Sequence, residues 1–288
     1  MLVSAQKRFE RVAMARGFDR YKREAKREVR LPEVKENETL KQLKAAWKIF
    51  TIDGNNFGLY HNYDKILSLI RNIGWSAKDV EQFSLMLIEF QNEPVFHFKA
   101  GLFLSALINE SADQEFIIHT TYLEKSIYNL GTFNKKIVRI KGDAGKDLGE
   151  LMQRGHIFLE GNACQGVGSG MRDGLIEIEG NVEDYMGHAM KGGIIVINGN
   201  ATFNVGDHMK DGMIIVRGNA DIRTGCHMAG GIIKILGGYC AEYVGRSMRG
   251  GRIYVEGDSC RIDKDIFGGE IFHKGKLVWS KSSDSHDG

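Results

Sequence analysis

Three histidines, an aspartate and a cysteine recur in this sequence at intervals that could bring them together. His188, Asp207 and Cys226 stand nineteen residues apart, and His208 and His227 each follow one position after the last two. Imidazoles, a carboxylate and a thiol are the ligand types that hold zinc. They can meet only in a fold that stacks one nineteen-residue unit on the next. In such a stack His208 lies over His227, and Asp207 neighbours both His188 and Cys226. Adjacent side chains along a strand point opposite ways, which separates His208 from Cys226. The favoured reading is therefore a polar edge whose members hydrogen-bond one another or face a partner, with no metal held.

The interval itself is carried by the whole second half of the chain. Gly142, Gly161, Gly180, Gly199 and Gly218 repeat every nineteen residues, and the series continues at Gly237 and, after one inserted residue, Gly257. Two further glycine series, from Gly149 and from Gly155, keep step with it. Four and two residues before each first-series glycine stand aliphatic pairs, such as Val138/Ile140, Ile176/Ile178 and Ile214/Val216. The residues between them vary, so each unit carries a short strand with one buried face. Nineteen residues are too few for a strand, a crossover helix and a return, but they suffice for one coil of a parallel β-helix.

The remaining columns fit such a coil. Asp143, Asn162, Asn181, Asn200 and Asn219 follow the first glycine, where Asn and Asp suit tight turns and can hydrogen-bond along a stack. Met152, Met171, Met190, Met209, Met228 and Met248 form a methionine column. Thioethers could attract a soft metal, but flexible filler in a narrow core explains them better. About seven coils run from Ile137 to Cys260. The less regular stretch before them reads as an atypical first coil, the stretch after them as a cap, and residues 280–288 as a disordered tail. The predicted fold class is α+β, a β-helical domain over 113–279 preceded by helices.

The phrases "GDAGKDLGELMQRG", "GNVEDYMGHAMKGG", "GNATFNVGDHMKDG" and "GYCAEYVGRSMRGG" resemble the GXGXG family over roughly residues 131–275. That family includes the C-terminal domain of the glutamate synthase large subunit and the β-helical subunit of formylmethanofuran dehydrogenase. The resemblance implies a right-handed β-helix that supports catalytic or metal-bearing neighbours and carries no catalytic residues of its own. The uninterrupted Gly-x-x-Met-x-x-Gly run is closer to the dehydrogenase type than to the glutamate synthase type.

The first third differs in composition. Only five of 36 glycines precede Gly131, and both prolines lie there. Residues 1–34 read as a basic helical extension, with ten Lys or Arg against four acids over residues 2–30. Its readings are a solvated or partner-docking helix, a targeting segment, or a nucleic-acid or lipid contact, the first being favoured. Residues 35–112 read as a helical domain of two helix-loop-helix units, similar to a degenerate EF-hand pair. Ser76 is the expected N-cap of one helix and Gly74 the end of another. "QNEPVFHF" is expected to be a loop with a strand-like end. As a calcium loop, Asp53 and Asn55 take the first ligand positions. Phe57 then falls where an oxygen is needed, and Asp64 where a bidentate glutamate belongs.

A net charge of +2 and a mixed surface exclude nucleic-acid binding as the leading function, and no eighteen-residue apolar run exists to cross a membrane. Four cysteines without a CxxC spacing fit reduced thiols in the cytoplasm or an organellar matrix. No phosphate loop, nucleophile elbow or HExxH stands out. The leading expectation is a non-catalytic scaffold or assembly subunit that docks on larger enzyme subunits, or on further copies of itself, through the β-helix and the helices. No cofactor is expected in this chain, with metal, iron–sulfur or flavin left to oxidoreductase-type partners. The alternatives are a subunit that completes an active site in a glutamate-synthase-like or formylmethanofuran-dehydrogenase-like enzyme, and a regulatory module using the EF-hand-like pair.

Overall fold

The computed structural model describes residues 34–52 and 58–281. The basic extension through residue 33, the loop residues Asp53 and Asn55, and residues 282–288 lie outside them. Among the described residues four α-helices come first: α1 (Glu38–Ile49), α2 (Leu59–Ile70), α3 (Ala77–Met86) and α4 (Phe96–Glu110). Ser76 caps α3 as expected, and Asp79 reciprocates in a capping box. Two expectations fail locally. α2 ends at Ile70 with Arg71 as its C-cap, ahead of Gly74: the Ile73 N–H turns back to Ile70 O at 2.8 Å, an i→i−3 bond that breaks the helical pattern. "VFHF" is no strand: Val95 adopts a left-handed φ of 53° and α4 begins at Phe96, burying that ring.

Twelve strands follow among the described residues: β1 (Glu115–His119), β2 (Ile137–Lys141), β3 (His156–Leu159), β4 (Leu175–Ile178), β5 (Lys191–Ile197), β6 (Asp211–Val216), β7 (Ile232–Ile235), β8 (Tyr239–Val244), β9 (Arg249–Val255), β10 (Ser259–Ile262), β11 (Gly268–His273) and β12 (Lys276–Lys281). The main sheet runs β1-β2-β3-β4-β5-β6-β7-β9-β11-β12, parallel throughout until β12 returns antiparallel to β11. The chain is thus a parallel β-solenoid. Its register matches the repeat: Val138, Ile157, Ile176, Ile195, Ile214, Ile233 and Ile253 are successive Cα partners. β1 supplies the irregular first coil, and β11 and β12 the cap. Ser280 and Lys281, expected in the tail, belong to β12. Their pairing with β11 gives backbone groups a partner that the fading repeat did not reveal.

The interior is aliphatic and sulfur-rich. All six column methionines, Met152 to Met248, are fully buried, as are the inward aliphatic pairs. The second-series glycine Gly187 turns the corner at φ 67°, and a Cβ there would collide with Ile214 Cδ1. First-series Gly180 needs no positive φ. Its N–H donates to Gly161 O at 3.0 Å, an approach that a side chain would block.

The helices close the open end of the stack. α4 is buried over most of its length, and Gly101 lies so close to Tyr128 O of the first coil that a Cβ would overlap it. One continuous apolar core therefore joins helices and coils. At its helical end Trp47 stacks on Phe90 at 5.2 Å between ring centroids, and Lys99 Nζ sits 4.4 Å from the Trp47 ring centroid. Lys99 is 6% exposed and tolerable there because Glu93 accepts from it at 3.0 Å.

Candidate functional site

The polar cluster sits at a corner between short strands. At Gly168 the flanking pair is Gly166 and Gly170, and at most corners two left-handed non-glycine residues flank the second-series glycine. In successive coils these are Tyr185 and Ala189, Asn204 and His208, then Arg223 and His227, with φ between 51° and 65°. Hydrogen bonds along the solenoid axis hold the shape: His208 N–H donates to Cys226 O at 2.9 Å, and His227 N–H to Arg246 O at 2.8 Å. Left-handed backbone of this kind costs on the order of 1–3 kcal/mol per residue and persists only where its surroundings enforce it.

That backbone overrides the alternation expected of a strand, and neighbours converge. His208 Nδ1 lies 3.0 Å from Asp207 Oδ1, His227 Nδ1 3.2 Å from the same oxygen, and His188 Nδ1 3.2 Å from Oδ2. Cys226 Sγ is 3.2 Å from His227 Nδ1. The His208 and His227 rings stack at 4.5 Å, and His188 meets His208 edge-on at 5.6 Å. Asp207 lies beneath the imidazoles, its side chain 11% exposed against 42% for His188 and 53% for His208. Burial, followed by the Asp207 carboxylate, pushes the Cys226 thiol above its ordinary pKa, so it is no activated nucleophile. Among the described residues, two three-residue groups have mutually close ligand atoms: His188, Asp207 and His208; and Asp207, Cys226 and His227.

Asp64, the end of the candidate calcium loop, lies exposed in α2. The column methionines are fully buried and pack the interior of the stack.

A second feature goes beyond the columns that the repeat defines. On the outer face of the sheet, Leu175, Ile194, Met213 and Ile232 stand in register across β4 to β7. Val196 and Ile215 form the next column. All six are partly or openly exposed, Ile194 at 41%. Charged residues border them: Glu177 on one side, Lys234 and Arg252 on the other. Its signal in the sequence is the unbroken apolar run in "GGIIVI" and "GMIIV", which marks a strand with both faces covered.

No family model and no curated protein matches the chain. Among solved structures, it is similar to a chain of the formyltransferase/hydrolase complex (FhcABCD) from Methylorubrum extorquens, crystallised with methylofuran. The two are 27% identical, with a TM-score of 0.46, and the match covers 52% of this chain and 58% of that one. The chain thus spans a little over half the length of that neighbour. Among the described residues no helix is long and apolar enough to cross a membrane.

Proposed function

We propose that this chain is a non-catalytic scaffold subunit of the GXGXG β-helix type, and that it docks a partner protein on the outer face of its main sheet. The observation that carries this reading is the apolar centre formed by Leu175, Ile194, Val196, Met213, Ile215 and Ile232, bordered by Glu177, Lys234 and Arg252. Parallel sheets are ordinarily covered on both faces, and an apolar patch with a polar rim is the anatomy of a protein interface. The rigid stack beneath presents that patch without an ordering cost on this side of the interface.

The test is tagged recovery from the native cell of the wild type and of an Ile194→Glu/Met213→Glu double variant, followed by sizing of each. The wild type is expected to elute with a partner in fixed stoichiometry, and the variant to elute free with an unchanged melting temperature. A wild type that elutes alone, or a complex that survives both charges, defeats the reading.

A further inference from the structure

The solenoid does not require imidazoles at its polar corner. In the column of His188, Asp207 and Cys226, other coils carry Glu150, Ser169 and Arg246; in that of His208 and His227 they carry Leu151, Gly170, Ala189 and Ser247. Leu151, Ala189 and Ser247 adopt the same left-handed backbone as the two histidines, with φ between 51° and 56°. The fold therefore accepts very different side chains here, and something other than folding accounts for three histidines on consecutive coils.

The charge of Asp207 is the second observation. A shielded carboxylate is costly unless a cation meets it. Among the described residues no Lys or Arg pairs with Asp207; its ionic neighbours are the three histidines, at 3.0 to 3.2 Å. A divalent ion coordinated by the carboxylate and by imidazole nitrogens balances that charge directly. Zinc holds nitrogen and oxygen ligands at about 2.0–2.1 Å, which places tetrahedral ligand atoms about 3.3 Å from one another. His208 Nδ1 and His188 Nδ1 lie 3.0 and 3.2 Å from opposite oxygens of Asp207, and the ligand atoms of the three residues lie within 4.8 Å of one another, so a turn of the carboxylate or of an imidazole brings them to that spacing.

We propose that His188, Asp207 and His208 form a binding site for one divalent ion of the zinc class, linking two coils and open to solvent on its outer side. The competing group of Asp207, Cys226 and His227 is less accessible, because Cys226 is 4% exposed. Half-exposed His188 and His208 leave an entry path and room for a further ligand from solvent, as in sites with three protein ligands.

The experiment uses zinc chloride and cobalt chloride on the full chain, read by calorimetric titration and by the visible spectrum of bound cobalt. One equivalent is expected to bind the wild type and raise its melting temperature. Asp207→Asn is expected to abolish saturable binding. His208→Asn, which suits the left-handed backbone, together with His188→Gln, is expected to abolish it without lowering the metal-free melting temperature. This second variant decides the matter if Asp207→Asn fails to fold. His61→Ala, on an exposed face of α2, and Cys226→Ser are expected to keep binding. Absence of saturable binding in the wild type overturns the proposal, as does binding that survives the double histidine variant or is lost in Cys226→Ser alone.

Discussion

Asn181 accepts the backbone N–H of Asn200 on its side-chain oxygen at 2.6 Å, joining residues nineteen apart in sequence and one coil apart in space. The same bond runs from Asn162 N–H to Asp143, from Asn181 N–H to Asn162, and from Asn219 N–H to Asn200. It forms a ladder up one corner, each rung supplying an acceptor to a donor that the strands do not reach. Asn181→Ala leaves the Asn200 N–H without its partner, at a cost of about 1 kcal/mol. A drop of roughly 2–4 °C in melting temperature is expected; an unchanged value in a thermal scan means water replaces the rung.

The corner glycines make a harsher prediction. Gly187→Ala forces a left-handed alanine against Ile214 Cδ1. The expected loss is about 2 kcal/mol or more, measured by urea unfolding. Ala at Gly74, where a Cβ meets nothing within 4 Å and φ is not positive, is the control and should stay within about 0.5 kcal/mol of wild type.

Glu93 anchors the helical end. It accepts from Lys99 Nζ at 3.0 Å and from Trp47 Nε1 at 3.2 Å. Glu93→Ala strands a buried ammonium and an indole N–H, and a loss of about 2 kcal/mol is expected. Glu93→Gln should recover part of it. Equal losses in both variants in chemical denaturation would show that charge, not hydrogen bonding, dominates the contact.

Glu150 gives a pH dependence of definite sign. Burial and then the neighbouring Asp147 raise its pKa above the ordinary 4.5, against the lowering effect of the Asn129 hydrogen bond. The folded protein thus keeps this proton to higher pH than the unfolded chain. Its contribution to stability is fully present below the ordinary value and is lost as pH rises through the raised one. Glu150→Gln keeps an acceptor for Asn129, so its urea midpoint should fall less than that of wild type from acid to neutral pH. Parallel curves for the two proteins would refute the assignment.

The stack is legible in the sequence because it is a repeat: the glycine, asparagine and methionine columns each report one fixed backbone environment, and register follows from their spacing. The polar corner is only half legible. The columns put His188 beside Asp207, but strand alternation sets adjacent positions on opposite sides. The left-handed residues at Asn204 and His208 undo that rule; Asn and His tolerate such backbone, but Leu151 and Ala189 adopt it at the same place in other coils, so residue type alone does not mark it. The start of α4 is hidden for a similar reason, since Val95 is a left-handed residue that propensity would not choose. The outer apolar face is written in Ile194 and Met213, but an aliphatic residue beside a buried one in a short strand does not declare which face it takes.

Because each coil meets only the coil before and after it, the length of this rod is quantised. Removing residues 181–199 as a block would bring like columns back together, whereas removing about half a unit would put every inward side chain out of place. Each whole unit added or deleted would move the helical end relative to the β12 end by ~4.8 Å. Whatever is held at the two ends is therefore spaced by a ruler with fixed graduations, and its reach can be reset in the gene without redesigning either end.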